Sequence, residues 1–332
     1  MKPKIAIDIG SCYTKIYKLH AGVVLCEPTC IAIKNNNYKT PFAFGEDAYS
    51  LIGKTPEGVE IVFPVKNTDI VDFKALVLLL EHFIKKIKKP FEIISSALLS
   101  VQCGSNHAII KNFENALIGA KVYNVCFAEL PVLSLIGSGV ELSYETPNGI
   151  IDFGGEQVTV CVLTQAGVIS GASAEFGSNE LNKLIVSHFE KNLNFLISLS
   201  SAEVLKTQLA SLDKDDETKL VVSGKDVLSG KQRVQQVSAS DIYQPVKTYV
   251  DKVLTIANAI FSSLESETIS QLSKNGIHLV GGGVNVYGLS DYVFERLGLK
   301  AQVCKEAEIV SIIGAGKLVE NVELLEKLKL KA

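Results

Sequence analysis

Aliphatic and β-branched residues open the chain in three runs, KIAIDIG at 4–10, TKIYKLH at 14–20 and VVLCEPTCIAI at 23–33. Their alternation with polar residues, or their continuity, predicts strands joined by short turns. From 69 to 89 the period changes. Phe73, Val77, Leu80, Ile84 and Ile87 recur at four- and three-residue steps, which predicts a helix with one apolar face that ends before Pro90. A strand over 92–101, a helix over 106–120, a strand over 121–128 and a helix over 131–139 continue the alternation, so the first half reads as a layered α/β lobe. GIIDFGG, VTVCVLTQ and GVISGASAEFG then repeat the opening meander and lead into a helix over 179–193. Residues 194–239 are more polar and carry the charged run DKDDETK and two short strand-like pieces, KLVVSG and QRVQQV. Ile242, Val246, Val250, Val253, Ala257, Ile260 and Leu264 mark a long helix that returns the chain to the strand GIHLVGGG. Over 317–332, Leu318, Val322, Leu325 and Leu328 share one stripe and predict a tail helix docked on the first lobe, with a helix for a partner or a membrane surface as the alternative. Because both halves begin strand, Gly turn, strand, turn, strand, the pattern predicts two related lobes facing each other across a cleft.

Composition narrows the class. The 332 residues are 47% hydrophobic, enough for the core of a multi-lobed chain. A net charge of −3 gives no basic field, which argues against a nucleic-acid partner. Seven cysteines, scattered and odd in number, suit reduced thiols and a cytoplasmic location. Cys26 and Cys30 lack a second Cys/His pair at zinc-ligand spacing. The apolar run LVLLL at 76–80 is too short to span a bilayer, and Ile5 already begins a strand without a signal-peptide segment. The five histidines share no motif with Ser or Cys, so no catalytic triad is implied. Gly53, Lys54 and Thr55 spell GKT, but Ala48 stands where a P-loop needs glycine, and GKTPEG reads as a turn.

Three Gly-rich segments each follow an aliphatic run: DIGSCYTK at 8–15, DFGGEQVT at 152–159 and LVGGGVNVYGL at 279–289. In this order they resemble the phosphate 1, phosphate 2 and adenosine motifs of the actin, sugar kinase and heat-shock ATPase superfamily. A nucleoside triphosphate needs close backbone N–H groups, a positive charge and carboxylates for hydrated Mg²⁺. Asp8 and Asp152 are the metal-facing candidates, since buried carboxylates call for a cation. Gly10 and Ser11 would turn under the phosphates and Lys15 would reach them from the return strand. Gly154 and Gly155 form the opposing turn, and Gly281, Gly282 and Gly283 leave room for adenine and ribose.

Within that superfamily the chain resembles the bacterial actin MreB over nearly its whole length. The resemblance runs from VVLCEPTCIAI through AFGEDAYSLIGKTPEGVEIVFPVKNTDIVDF to LLLEHFIKK, and takes in ELPVLSLIGSG, SAEVLKTQLAS and SIIGAGKL. It implies a four-subdomain α/β actin-like fold with two duplicated lobes around a nucleotide cleft. The first lobe core would span 1–32, 66–149 and 315–332, with a small subdomain at 33–65. The second core would span 150–181 and 241–314, with a small subdomain at 182–240. On the matching helix, Glu203 and Lys206 correspond to the family's ribose and base contacts.

The resemblance further implies ATP/ADP and Mg²⁺ as ligands. It implies cleft closure coupled to assembly into filaments, paired on the inner face of the cell membrane and serving cell shape, division or intracellular organisation. Departures concern hydrolysis. Leu130 stands where the family places the Glu that orients the attacking water, with Glu129 one residue earlier. Glu156, Gln157 and Val158 replace a glycine and two threonines of the phosphate 2 turn. Nucleotide binding with slow or absent hydrolysis is therefore expected, with Glu129 or Gln157 as partial substitutes. A non-polymerising nucleotide-sensing adaptor and a chaperone-like or kinase-like ATPase stand as alternatives. Membrane proteins or an anionic membrane surface are further candidate partners. For the surface, Lys85, Lys86, Lys88, Lys89 and Phe91 are the candidates, against the plain reading of a solvated helix end.

Overall fold

The computed structural model describes residues 2–330 and divides into two units, Met1–Leu142 with Ile309–Ala332, and Ser143–Glu308. In the first unit the chain runs through β1 (Ile5–Ile9), β2 (Tyr13–Lys18), β3 (Gly22–Pro28), β4 (Ile31–Lys34), β5 (Ala43–Phe44), α1 (Gly45–Tyr49) and β6 (Val59–Val62). It continues through β7 (Val65–Lys66), β8 (Asp69–Ile70), α2 (Phe73–Ile87), β9 (Ser96–Val101), α3 (His107–Gly119), β10 (Asn124–Glu129) and α4 (Leu130–Gly137). The second unit holds β11 (Asn148–Phe153), β12 (Val158–Thr164), β13 (Gly167–Ala174), α5 (Ser178–Leu193), β14 (Phe195–Leu196), α6 (Leu199–Leu209), β15 (Lys219–Asp226) and β16 (Gln232–Ser238). It then adds α7 (Ala239–Ser262), α8 (Ser266–Asn275), β17 (Ile277–Val280), a 3₁₀ turn (Gly282–Val284), α9 (Leu289–Leu297) and β18 (Ala301–Val303). The chain closes in the first unit with α10 (Val310–Glu320) and α11 (Val322–Leu328).

The duplication legible in the sequence is a duplication of topology. One five-stranded sheet has the order β3-β2-β1-β9-β10 and the other β13-β12-β11-β17-β18. In each, the first three strands form an antiparallel meander and the last two join in parallel. Both second strands carry a register shift, between Ile16 and Tyr17 and between Val162 and Leu163, which sharpens local twist. Among the described residues there are also two three-stranded sheets, β5-β4-β6 in the first unit and β14-β15-β16 in the second, and the two-stranded β7-β8 in the first.

Several expectations change in detail. The run 23–33 is two strands in different sheets, because Thr29 turns the chain between β3 and β4 while its buried hydroxyl meets that of Thr14 at 2.9 Å. Helix α2 starts at Phe73, where Asp72 caps it by accepting from the Ala75 N–H at 2.9 Å. Its buried face is Ala75, Leu76, Leu79, Leu80, Phe83 and Ile84, with Phe73 exposed. The expected stripe was therefore rotated, since LVLLL offers apolar residues on every side and periodicity alone cannot choose among them. The tail is two helices, α10 and α11, broken at Asn321. That residue's side chain caps the second helix at the Leu324 N–H. Positions 331 and 332 of the expected tail helix lie outside the described residues. Leu325 is buried, and the Leu330 N–H bonds the Phe127 carbonyl at 2.8 Å, tying the tail to the core of its unit. Among the described residues no helix is long and apolar enough to cross a membrane.

Candidate functional site

In the first unit the Gly-rich segment DIGSCYTK is the β1–β2 turn. The Gly10 N–H donates to the Tyr13 carbonyl at 3.0 Å, closing the turn over Ser11 and Cys12. A Cβ at Gly10 would come within 2.9 Å of that carbonyl oxygen, so the turn requires glycine. Asp8 lies opposite Lys15 in the ladder and is 6% exposed. Its Oδ1 accepts from Ser100 Oγ at 2.8 Å, and its Oδ2 from Ser311 Oγ at 2.9 Å and Lys15 Nζ at 3.4 Å. These donors offset the removal of a carboxylate from water. Sequence reading singled out Asp8 and Lys15 and missed both serines. The available signal was a serine inside each of two apolar runs, Ser100 in SALLSV, which also begins with Ser96, and Ser311 in VSIIG.

The second unit repeats the turn. Asp152 lies opposite Thr159, and a Cβ at Gly154 would approach the Gln157 carbonyl oxygen to 2.5 Å, the same three-residue relation that Gly10 bears to Tyr13. The Gly154 and Gly155 carbonyls accept from the N–H groups of Ser178 and Asn179 at 2.8 and 2.9 Å, so the turn is welded to the start of α5. A Cβ at Gly177 would strike Gly154 and Gly155. Gly281 has φ 91° and packs against Asp152 and Phe153, and its N–H donates to the Ala307 carbonyl at 2.9 Å. Gly283 packs against Phe153 and Ser178, whereas Gly282 faces open space.

Lys206, on α6, is 8% exposed and donates to Glu203 Oε2 at 2.7 Å and to the Ser178 carbonyl at 3.3 Å. Asn182, on α5, donates its amide to the same Glu203 oxygen at 2.5 Å. Its own Oδ1 is buried with no partner among the described residues. Asp152, Gly154, Gly155, Gly281, Gly283, Glu203 and Lys206 thus gather around the N-terminus of α5, with Gly177, Ser178 and Asn182 as members that sequence reading missed. The sequence signal was the Gly-Ser pair between a strand and an amphipathic run.

The hydrolysis candidates are placed differently. Leu130 begins α4 with its side chain buried. Burial pushes the Glu129 carboxyl above the usual range, while the Gly104 N–H and the Cys103 thiol donate to it and oppose the rise. Val158 is buried in the core, and the Gln157 Oε1 is buried without a partner among the described residues. No group of three or more His, Cys, Asp or Glu side chains that could hold a metal occurs among the described residues.

The description "MreB/Mbl protein" belongs to the family model that matches residues 2–327. The cell shape-determining protein MreB of Escherichia coli K12 is 26% identical over 326 residues, covering 96% of this chain and 94% of its own. The cell shape-determining protein Mbl of Bacillus subtilis 168 is 25% identical over 329 residues, covering 98% of each. Among solved structures, MreB 5 of Spiroplasma citri bound to AMPPNP superposes with a TM-score of 0.91 at 22% identity, covering 98% of each chain. The MamK double helical filament superposes with a TM-score of 0.78 at 16% identity, covering 96% of this chain and 98% of its own. These two likenesses establish a shared fold. Matched almost from end to end by that family model, and built from two units that repeat one actin-like topology, the chain belongs to the MreB/Mbl family and is an MreB-like bacterial actin.

Proposed function

We propose that this chain binds ATP or ADP with Mg²⁺ and assembles with copies of itself into filaments that serve cell shape or intracellular organisation. The observation that carries the reading is the gathering of Gly154, Gly155, Gly281, Gly283 and the Glu203–Lys206 pair around the start of α5. Relatives support it: the Escherichia coli and Bacillus subtilis proteins are named cell shape-determining, the Spiroplasma protein holds AMPPNP, and MamK forms a double helical filament.

The residues present fit a nucleoside phosphate. Gly282 has no atom within 4 Å of the place a Cβ would take, so backbone there can be approached. Glu203 and Lys206 offer an acceptor and a cation for ribose and base. In the first unit, Lys15 and the N–H groups around Ser11 suit phosphate oxygens. With donors on both Asp8 oxygens, Mg²⁺ fits as a hydrated ion held through water and phosphate rather than in a cage of side chains. The bound nucleotide supplies the phosphoanhydride whose cleavage would drive filament turnover. Hydrolysis is slow or absent, because Leu130 offers no acceptor for a water proton and the Glu129 carboxylate is engaged by Gly104 and Cys103.

The test is pelleting of purified protein with Mg²⁺ and ATP, ADP or a non-hydrolysable analogue, with negative-stain microscopy and a phosphate assay on the same samples. Filaments with ATP and little phosphate release are expected. Binding without filaments under any nucleotide would replace this reading with the non-polymerising adaptor.

A further inference from the structure

We infer that Ser100 and Ser311 are positioning residues for the phosphate end of the nucleotide site, acting through Asp8; the inference rests on the nucleotide-binding reading above. The two hydroxyls donate to different oxygens of one buried carboxylate, at 2.8 Å on Oδ1 and 2.9 Å on Oδ2. They thereby fix both the position and the plane of the group. Lys15 Nζ reaches the same Oδ2 at a longer 3.4 Å. With the serines in place, each Asp8 oxygen already accepts a shorter bond, and Asp8 engages Lys15 only at that longer distance. Take away the Ser311 hydroxyl and Oδ2 loses its shorter donor. The lysine then closes on the carboxylate, and its charge is withdrawn from the ligand.

The fold gives each hydroxyl a rigid seat. Ser100 lies in β9, whose residues Ala97, Leu98 and Leu99 pair in parallel with Ile5, Ala6 and Ile7 of β1. Ser311 is the second residue of α10, and the register of that helix is pinned farther along. A Cβ at Gly314 would collide with the Leu133 carbonyl of α4, and one at Gly316 with the Tyr17 ring. A helix held at two glycines cannot slide to reposition its first turn. Through Ser311, α10 thus reaches back across 303 positions of sequence to the first strand.

The experiment measures affinities for ATP and for adenosine, with melting temperature, in wild type, Ser100→Ala, Ser311→Ala, Ser311→Thr, Asp8→Asn and the Asp8→Asn/Ser311→Ala double variant. Each alanine variant is expected to bind ATP about tenfold more weakly, the scale of a hydrogen bond to a charged group, with adenosine binding unchanged. Ser311→Thr is expected to keep wild-type ATP affinity, and the double variant to lose no more than Asp8→Asn alone. A fall in melting temperature with the ATP-to-adenosine ratio preserved would reduce the serines to a structural role and overturn the inference. So would additive losses in the double variant. Wild-type protein that binds neither ligand would instead overturn the nucleotide reading itself.

Discussion

Gly314 of α10 lies so close to the Leu133 carbonyl of α4 that there is no room for a Cβ between them. The reciprocal contact sets Gly137 of α4 against the Val310 carbonyl of α10. Alanine at 314 must push the helices apart at a crossing where α4 is buried from Leu130 to Ile136. We expect Gly314→Ala to destabilise the protein by about 2–3 kcal/mol, the range of overpacking in a close-packed core. Chemical denaturation checks this, and Gly282→Ala, which faces open space, is the control expected to unfold like wild type.

Lys206 is buried and shared between Glu203 and the Ser178 carbonyl. Lys206→Met keeps the aliphatic packing and removes both charge-assisted bonds, leaving the Asn182 amide as the remaining donor to Glu203 given by this cluster. The expected result is a loss of about 1–3 kcal/mol in stability and about tenfold in ATP affinity. Isothermal titration and thermal melting read the two separately, and unchanged affinity would remove Lys206 from the site.

Leu130 occupies the first position of α4, directly after Glu129 at the N-cap position, whose side chain makes no capping bond. Leu130→Glu restores an acceptor at that position at the expense of burying a carboxyl, so melting temperature should fall while phosphate release rises. An increase of about a hundredfold over wild type is the lower end of what a positioned base contributes. Phosphate release that stays at the wild-type level in a folded variant would show that the side chain at this position does not set the rate of hydrolysis.

His278 gives a pH dependence. Burial in β17 lowers its pKa below the ordinary imidazole value, with Gln302 Nε2 and Cys304 Sγ at 3.2 and 3.7 Å from Nδ1. The depressed pKa means the unfolded chain takes up a proton first. Stability is therefore fully present above about pH 6.5 and is lost as pH falls through the lower, folded value. In His278→Gln this part of the acid dependence should vanish, as measured by denaturation midpoints between about pH 7 and pH 5.

The two Gly turns and the duplicated meanders were legible because the chemistry is local: an aspartate at a strand end, then glycine, then a return strand. Asp8 and Lys15 are seven residues apart and direct partners in one ladder. Ser311 was not legible as a partner of Asp8, because only the packing of α10 against α4 decides where that hydroxyl points. The same reasoning covers Asn182 and Glu203, which meet because α5 and α6 lie side by side. The face of α2 was misplaced for the opposite reason. Its sequence is apolar on too many sides, and the sheet selects which side to bury.

Phe91 is fully exposed and holds a left-handed backbone at φ 64°, and Ile93 two residues on is 72% exposed. A bulky side chain in that conformation is strained by about 1–2 kcal/mol and makes no packing contact that would compensate within its own unit. Lys88 and Lys89 are exposed beside it, whereas Lys86 is paired with Glu27 at 2.5 Å. An aromatic tip with flanking cations suits an anionic bilayer surface, where burial of the ring and attraction of the lysines add. Phe91→Gly relieves the strain, so it should leave the protein as stable as wild type or slightly more so. The same variant should lower co-sedimentation with phosphatidylserine-containing vesicles several-fold, and Lys88→Glu/Lys89→Glu should do so most strongly at low salt. Vesicle binding that survives both changes would locate any membrane contact elsewhere and leave the strained Phe91 without this explanation.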